Sequence, residues 1–305
     1  MMFDRIIKVI FFGNYFIGIL AIALSIESCI QLRLPFNSIA YYGLLFSATV
    51  MYYSYAYRGA AASAITTNTR TEWYTRHHRF AQWNLGMSFL VCLVLGTYLI
   101  TKYHSAVGVL PLEYWLIIGM AGIAGLLYYG LVPPFLHRLN LRNTGWLKAF
   151  VIGFVWACCV NLLPLVMLKI EGAAYTVDPV FIVWLFIKNW MFCTVNAIMF
   201  DMKDYDEDAN KQLKTFVVQF GIRRTIFYVL FPLLLAGVLA LAIFVHFMHF
   251  GLIPFLINLL PYLLLLVVAY SMHTRKNILF YLIVIDGMLL VKALCGMIAM
   301  QFIVR

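Results

Sequence analysis

The sequence is poor in charged residues: Asp, Glu, Lys and Arg make up only 11% of its 305 residues, whereas 64% are hydrophobic. Soluble domains carry about 25% charged residues. A water-soluble fold of this length could not bury so much apolar surface in one core. The chain is therefore predicted to use lipid as its solvent. Its apolar runs are long and continuous rather than alternating, which favours helices over a membrane β-barrel.

Long polar stretches, internal repeats and Gly/Ser linkers are also lacking, so residues 1–305 are predicted to form a single polytopic membrane domain. The six cysteines lie in or beside apolar runs, and none pairs with a histidine at a metal-ligand spacing. We interpret them as packing residues. The formal net charge is +10, but no soluble basic surface is present to read a nucleic acid, which excludes that partner. No protein partner is implied.

A membrane-spanning helix needs about 20 apolar residues. Nine candidate spans are predicted, at 7–29, 39–57, 82–101, 113–131, 147–168, 179–200, 226–248, 252–271 and 279–302. Pro133 and Pro134 end the fourth span, and Asp178 opens the sixth as an N-cap followed by a first-turn proline. The predicted fold is an all-α membrane protein, a bundle of about nine transmembrane helices.

The distribution of basic residues predicts the orientation of these helices. Of the 22 Lys and Arg residues, 16 fall on the side of the N-terminus, and two lie within spans. The opposite side holds Arg33, Lys102, Lys169 and Arg305. Because basic loops face the cytoplasm, the N-terminus is predicted to be cytoplasmic. The protein is expected to be an integral multi-pass protein of the cytoplasmic membrane, in contact with membrane lipids.

Acidic residues are scarce, and five of the twelve lie between Asp201 and Asp208, at the predicted end of the sixth span. Asp201, Asp204 and Asp208 are spaced i, i+3 and i+7, which places them on one face if the helix continues. Close carboxylates repel one another unless a cation lies among them. Mg²⁺ suits such a site because it binds through one or two carboxylates together with substrate phosphates. The alternative is a solvated acidic loop, but the flanking basic residues favour a metal–phosphate site.

The segment NAIMFDMKDYDEDANKQLKTFVVQFG, which begins at Asn196, resembles the second aspartate-rich motif of the UbiA-type intramembrane prenyltransferases. In that family, a DxxDxxxD pattern at the end of the sixth helix is followed by a basic-Thr pair and a glycine. The matching residues here are Asp201, Asp204, Asp208, Lys214, Thr215 and Gly221. The stretch 128–156 resembles the family's connection between its fourth and fifth helices. That stretch has a proline corner followed by Arg138, Arg142, Lys148 and Gly153.

The resemblance implies a UbiA-like fold and an enzyme. The implied reaction is the Mg²⁺-dependent transfer of a prenyl group from a prenyl diphosphate to an aromatic or similar lipophilic acceptor within the membrane. Asp201, Asp204 and Asp208 are then the catalytic residues that hold Mg²⁺. The residues expected to bind the diphosphate are Arg58, Arg70, Arg142, Lys148 and Lys214.

One part of the family pattern is missing. The family carries a first acidic motif where the second helix meets its loop, but positions 52–58 read YYSYAYR here. The only acid between Ala40 and Phe80 is Glu72. Either arginines such as Arg58 and Arg70 neutralise the diphosphate where a second metal ion would bridge, or turnover is lost. In the second case the protein binds or moves an isoprenoid lipid.

The tyrosines at the end of the second predicted span allow two interpretations. The tyrosines of positions 52–57 form either an interfacial aromatic belt or a π-rich wall that stabilises an allylic cation.

A third possible function is that of a secondary transporter. Such a protein would have inverted repeats and helices broken near the midplane, and neither is visible in the sequence.

Four ionisable residues lie within or at the ends of apolar spans: Glu27, Lys188, Asp286 and Lys292. Burial in lipid without a partner is costly, so each is expected to face the bundle interior or a wet cavity. Asp286 and Lys292 lie on roughly opposite faces of the ninth helix and are not expected to pair. A pair between Lys188 and Asp286 is one option, and structural and substrate-binding roles both stay open.

Overall fold

The structure is a computed structural model that describes residues 2–55, 69–129, 144–210, 212–274 and 276–302. In these residues the chain is helical throughout, apart from its turns and connections, and contains no β-strand. The helices are α1 Met2–Phe12, α2 Tyr15–Gln31, α3 Ile39–Tyr55, α4 Thr69–Arg76, α5 His78–Lys102, α6 His104–Gly108, α7 Leu112–Tyr129, α8 Leu147–Ile170, α9 Pro179–Lys203, α10 Tyr205–Asn210, α11 Phe216–Phe220, α12 Ile222–Phe247, α13 Leu252–Ser271 and α14 Ile278–Phe302.

The prediction of an all-α membrane bundle is confirmed. Among the described residues, six helices are long and apolar enough to cross a membrane: α5, α8, α9, α12, α13 and α14. The bent pair α1–α2 would make a seventh. The predicted spans at 39–57 and 113–131 coincide with α3 and α7, which have 17 and 18 residues as far as they are described. The count of nine spans and the cytoplasmic N-terminus stay predictions.

The first predicted span, 7–29, is wrong in one respect, because it is not a single continuous helix. The axes of α1 and α2 differ by 59° across the break at Gly13 and Asn14. Asn14 adopts a left-handed conformation with φ 66°, which asparagine tolerates better than most residues. The Asn14 side chain donates to Ser54 Oγ over 3.0 Å, so the break is anchored to the end of α3.

Helix boundaries follow the capping chemistry of the sequence. Asp178 caps α9 as predicted, with its Oδ1 accepting from the backbone N–H of Val180 over 2.8 Å.

Three helices contain a π-helical turn, at Cys158–Leu162 in α8, Ile226–Leu230 in α12 and Tyr281–Ile285 in α14. In α8 and α12 a proline follows two residues after the turn, where its missing N–H disturbs the α-helical ladder. In α14 the turn precedes an aspartate instead.

Helices α8 and α9 pack closely against each other. Gly153 on α8 lets the two backbones approach so closely that a Cβ atom there would lie 2.3 Å from Thr194 Oγ1. The same atom would lie 2.8 Å from the backbone oxygen of Trp190. Small residues allow such close packing between membrane helices. The contact positions the ends of α8 and α9 against each other, and these ends carry the acidic segment and Lys148.

Replacing Gly153 with alanine should therefore destabilise the bundle. Overpacking of this kind costs about 1–3 kcal/mol, so the unfolding midpoint of the detergent-solubilised protein should fall. Gly119→Ala on α7 is the matched control, since nothing lies within 4 Å of a Cβ at that position. That control should leave the midpoint unchanged or slightly raised, because alanine is the better helix former. Equal midpoints for the two variants would contradict this account of the contact.

A buried polar cluster ties α2, α9 and α14 together in the middle of the bundle. Glu27 is fully buried and pairs with Lys292 over 2.6 Å and with Lys188 over 3.7 Å. Gln31 donates to Glu27 Oε1 over 2.9 Å and accepts from Lys188 over 3.2 Å. The suggested pair between Lys188 and Asp286 is therefore wrong, because Glu27 on α2 is the partner of Lys188. The expectation that these charges face the bundle interior is met.

Candidate active site

A cavity of about 240 Å³ opens between the helices beside the acidic segment. Among the described residues, its charged lining consists of Asp201, Asp204, Asp208, Asp286, Arg70, Lys148 and Lys203. Its apolar and aromatic lining includes Phe11, Phe16, Ile17, Tyr53, Tyr128, Ile152, Trp156, Leu282 and Leu289. A space that joins charged groups of both signs to an aromatic wall is suited to an amphiphilic molecule with an anionic head.

Lys148 lies between two of the predicted metal-binding aspartates. Its Nζ atom is 3.0 Å from Asp201 Oδ1 and 2.7 Å from Asp208 Oδ2, and all three side chains are at most 9% exposed. The assumption of one continuing helix is wrong, because α9 ends at Lys203 and Asp204 is its C-cap with φ −93°. Asp208 belongs to the short helix α10. The chain turns at Asp204, and Lys148 then brings Asp201 and Asp208 together.

The aspartates do not form a cluster of three metal ligands. Within the part of the chain that the structure describes, no group of three or more His, Cys, Asp or Glu residues is arranged to hold a metal ion. Asp204 pairs with Lys203 over 3.0 Å. Asp201 Oδ2, however, is buried and has no hydrogen-bond partner among the described residues. An unsatisfied carboxylate oxygen beside Asp204 fits a cation that takes one or two carboxylates and completes its coordination with phosphate oxygens.

Arg70 lies at the helix break as well as at the cavity. It is 5% exposed and donates to the backbone oxygen of Phe12 over 3.2 Å and to Asn14 Oδ1 over 2.5 Å. The hydroxyl of Tyr74 also donates to the Phe12 oxygen, over 2.5 Å. Arg70 therefore caps the end of α1 while it lines the cavity. Its predicted contact with a diphosphate is compatible with this position, and the structural role was not foreseen.

The other predicted diphosphate-binding residues are placed differently. Arg58 and Arg142 lie outside the described residues. Lys214 is exposed and does not line the cavity. Its backbone oxygen would lie 2.5 Å from a Cβ atom at Gly145, whose φ is 68°. The segment before α8 and the segment after α10 thus pack backbone to backbone, which is why a glycine occupies position 145.

The remaining residues of the motif have structural roles. Thr215 is fully buried and caps α11, with its Oγ1 accepting from the N–H of Val218 over 3.3 Å. Gly221 has φ 77° at the junction between α11 and α12, a conformation that favours glycine. The hydroxyl of Thr225 donates to the Gly221 oxygen over 2.9 Å. These residues form the connection that leads from the acidic segment into the long apolar helix α12.

The tyrosines near the end of α3 divide between the two interpretations left open by the sequence. Tyr53 lines the cavity and accepts a hydrogen bond of 2.8 Å from Trp156 Nε1. Tyr52 is not among the cavity residues, and its hydroxyl donates to the backbone oxygen of Gly125 over 3.1 Å. Tyr57 lies outside the described residues. At least one tyrosine of this group therefore contributes to an aromatic wall inside the bundle.

Two of the charged residues that line the cavity were not assigned to the site from the sequence. Lys203 was interpreted only as a basic flank of the acids, and the role of Asp286 was left open. A carboxylate within an otherwise apolar span was itself the signal for Asp286. No sequence signal could have placed it, because Asp286 is more than 70 residues further along the chain than the acidic segment.

These features define a membrane-embedded helical protein with a charged cavity near the ends of its helices. The family model for the UbiA prenyltransferase family matches residues 103–278, which is more than half of the chain. The protein belongs to the UbiA prenyltransferase family, as the acidic motif predicted. No curated protein matches the sequence.

Solved structures agree with this assignment at the level of the fold. A UbiA homolog from Archaeoglobus fulgidus superposes with a TM-score of 0.57 at 14% identity, over 96% of this chain and 99% of that chain. A second structure, of a UbiA homolog from the same organism bound to DMAPP and Mg²⁺, has a TM-score of 0.55 at 13% identity. It covers 95% of this chain and 99% of that chain.

Proposed function

We propose that this protein transfers a prenyl group from a prenyl diphosphate to an aromatic or similar lipophilic acceptor within the membrane, in a Mg²⁺-dependent reaction. The observation that carries the proposal is the cavity, where the cluster of Asp201, Lys148 and Asp208 adjoins an aromatic and aliphatic wall. The solved UbiA homolog bound to DMAPP and Mg²⁺ supports it. We further propose that residues 1–305 act as one polytopic unit with this cavity on the cytoplasmic side.

The charged end of the cavity would hold the diphosphate. Asp201, through its unsatisfied Oδ2, and Asp204 are the residues that would hold Mg²⁺, and Asp208 would retain Lys148 nearby. When bound, Mg²⁺ would neutralise part of the diphosphate charge and so favour departure of pyrophosphate. Lys148 can redirect one of the hydrogen bonds that it donates from a carboxylate to a diphosphate oxygen. Arg58, Arg142 and Lys214 remain proposed contacts to the same group.

The apolar end of the cavity would hold the prenyl chain. Phe16, Ile17 and Trp156 form an apolar surface against which an isoprenoid chain can pack without exposure to water. Tyr53 adds the face of an aromatic ring, which attracts the positive charge that develops on the allylic carbon. Exclusion of water from this wall protects that carbon from hydrolysis.

In the proposed reaction, the bond between C1 of the prenyl group and the diphosphate oxygen breaks, and its electron pair leaves with pyrophosphate. Lys148, Lys203 and Arg70 line the cavity and would stabilise the growing negative charge. Such preorganised charges are effective because they need not reorient as the bond breaks. The acceptor then forms its new bond with C1 and releases a proton.

The proposal is tested with the purified full-length protein in detergent micelles. In the presence of Mg²⁺, dimethylallyl diphosphate and 4-octylphenol as the lipophilic acceptor, the protein should transfer the dimethylallyl group to the phenol and release pyrophosphate, as measured with a coupled phosphate assay. Removal of the divalent ion with EDTA should abolish the release, since the carboxylates alone repel the diphosphate. Release that continues unchanged in EDTA would contradict the proposed role of the metal ion.

The alternative function is that of a UbiA-like protein that binds or moves an isoprenoid lipid without turnover. One observation favours it: Glu72, the only acid between Ala40 and Phe80, is exposed and pairs with Arg76 over 2.5 Å. It therefore does not replace the missing first acidic motif in the cavity. Tight binding of the prenyl diphosphate without release, unaffected by Asp204→Ala, would support this alternative.

A further inference from the structure

Asp286 is a buried carboxylate that the proposed diphosphate site does not use. It is 5% exposed, lines the cavity and immediately follows the π-helical turn Tyr281–Ile285 in α14. Within the part of the chain that the structure describes, its side chain makes no hydrogen bond and no ion pair, and the positive charges of Arg70 and Lys203 act on it only from beyond ion-pair distance. A carboxylate in the membrane region is costly without partners. Glu27 at a comparable burial is held by two lysines, so a structural role alone does not account for Asp286.

The π-helical turn before Asp286 differs from the other two because no proline follows it. The other two π-helical turns, in α8 and α12, each precede a proline, but α14 contains no proline. A π-helical turn inserts an extra residue and so changes the direction of the side chains that follow it; such turns are frequent at functional sites. Here the first residue after the turn is Asp286, and it lines the cavity.

A hydrogen bond sets the depth of Asp286 in the bundle. Asn196 on α9 donates to the backbone oxygen of Ile285 over 2.8 Å, so Asp286 is level with position 196. Asp201 lies five residues closer to the end of α9, which corresponds to about 7.5 Å along the helix axis. The backbone of Asp286 therefore lies deeper in the bundle than that of Asp201. Leu282 and Leu289, which line the cavity from the same helix, give it apolar neighbours at this depth.

We propose that Asp286 is the proton acceptor of the transfer reaction. The inference rests on the proposed function, since it assigns the atom that receives the proton of the acceptor substrate. As the C1–O bond breaks and its electron pair leaves with pyrophosphate, the acceptor oxygen or ring carbon forms its bond to C1. The proton that the acceptor loses moves to a carboxylate oxygen of Asp286. The depth of Asp286 places this carboxylate on the prenyl side of the scissile bond rather than on its diphosphate side.

The experiment separates bond cleavage from proton removal. Dimethylallyl diphosphate labelled with ¹⁸O at the bridging oxygen is incubated with Mg²⁺, the purified protein and 4-octylphenol as the nucleophile. Reversible cleavage moves ¹⁸O from the bridging to the non-bridging positions, whereas complete reaction releases pyrophosphate. In Asp286→Asn, release should fall by about 10²-fold, the usual contribution of a general base, while ¹⁸O movement continues. Asp286→Glu should recover part of the release, because it restores the carboxylate.

Asp201→Asn serves as the contrasting variant, because it should lose ¹⁸O movement and release together. If Asp286→Asn also loses both, Asp286 belongs to the diphosphate site and the inference is wrong. Unchanged pyrophosphate release in Asp286→Asn would equally overturn the inference. So would ¹⁸O movement without pyrophosphate release in the unaltered protein. If the unaltered protein binds the diphosphate but gives neither signal, the proposed function itself fails and this inference fails with it.

Discussion

Replacing Asp201 with asparagine should slow pyrophosphate release from dimethylallyl diphosphate by about 10²–10³-fold, the range found when one preorganised electrostatic group is removed from an active site. The substitution preserves the shape of the side chain but removes its negative charge. Asp201 Oδ2 has no hydrogen-bond partner among the described residues, so this oxygen is available for a cation. The rate is measured with 4-octylphenol as the acceptor and at saturating Mg²⁺ and diphosphate, so that a weaker affinity alone does not produce the loss.

The matched control for this variant is Asp206→Asn. Asp206 belongs to the same acidic segment, but its side chain is exposed and does not line the cavity. The control should retain the rate of the unaltered protein. The Asp201→Asn variant should also keep its unfolding midpoint, because Lys148 retains its ion pair with Asp208. An unaltered rate in Asp201→Asn would remove this residue from the proposed site.

The second large effect is expected for Glu27→Leu, which should lower the free energy of unfolding by about 3–5 kcal/mol, as the loss of one partner from a buried ion pair does. Glu27 is enclosed: a Cβ atom at Gly296 would lie only 2.3 Å from Glu27 Oε1 and from Gln31 Nε2. The leucine would leave the ammonium groups of Lys188 and Lys292 without their carboxylate. Thermal unfolding of the detergent-solubilised protein, followed by intrinsic fluorescence, measures the loss.

Two further variants test the cause of this destabilisation. Glu72→Leu breaks the exposed pair with Arg76 and should not move the midpoint, because exposed ion pairs contribute little. Glu27→Leu combined with Lys292→Leu removes one of the unpaired charges and should recover part of the loss. If the double variant is as unstable as the single one, the cost comes from packing rather than from uncompensated charge. An unchanged midpoint in Glu27→Leu would contradict the account of the cluster altogether.

The break between α1 and α2 illustrates why a hydropathy pattern alone could not describe the helices in full. The run from Ile7 to Cys29 is long and apolar, so it predicts one span. At the bend, the backbone oxygen of Phe12 accepts hydrogen bonds from Arg70 and Tyr74, which belong to a helix more than 50 residues later. Backbone groups freed by a bend must find partners when no water is available. The hydropathy of a segment contains no information about such distant donors.

The acidic motif illustrates the same limit within the candidate site. Its resemblance to the second aspartate-rich motif of the UbiA-type prenyltransferases predicted the family, which the match over residues 103–278 confirms. The spacing predicted three carboxylates on one helical face. The structure instead ends α9 at Lys203 and places Lys148, from the preceding span, between Asp201 and Asp208. The individual roles of these residues in binding metal and diphosphate stay predictions.

The sequence by itself determined the class of this protein. Too few charges and too many long apolar runs leave lipid as the only suitable solvent, and a concentrated acidic motif indicates the family; both properties are local and can be counted along the chain. The tertiary structure alone decided which charges meet. Glu27 pairs with lysines more than 150 residues away, and Asp286 enters a cavity lined by α9. The physical reason is that a buried charge is stabilised by groups near in space, and their distance along the chain has no bearing on that energy.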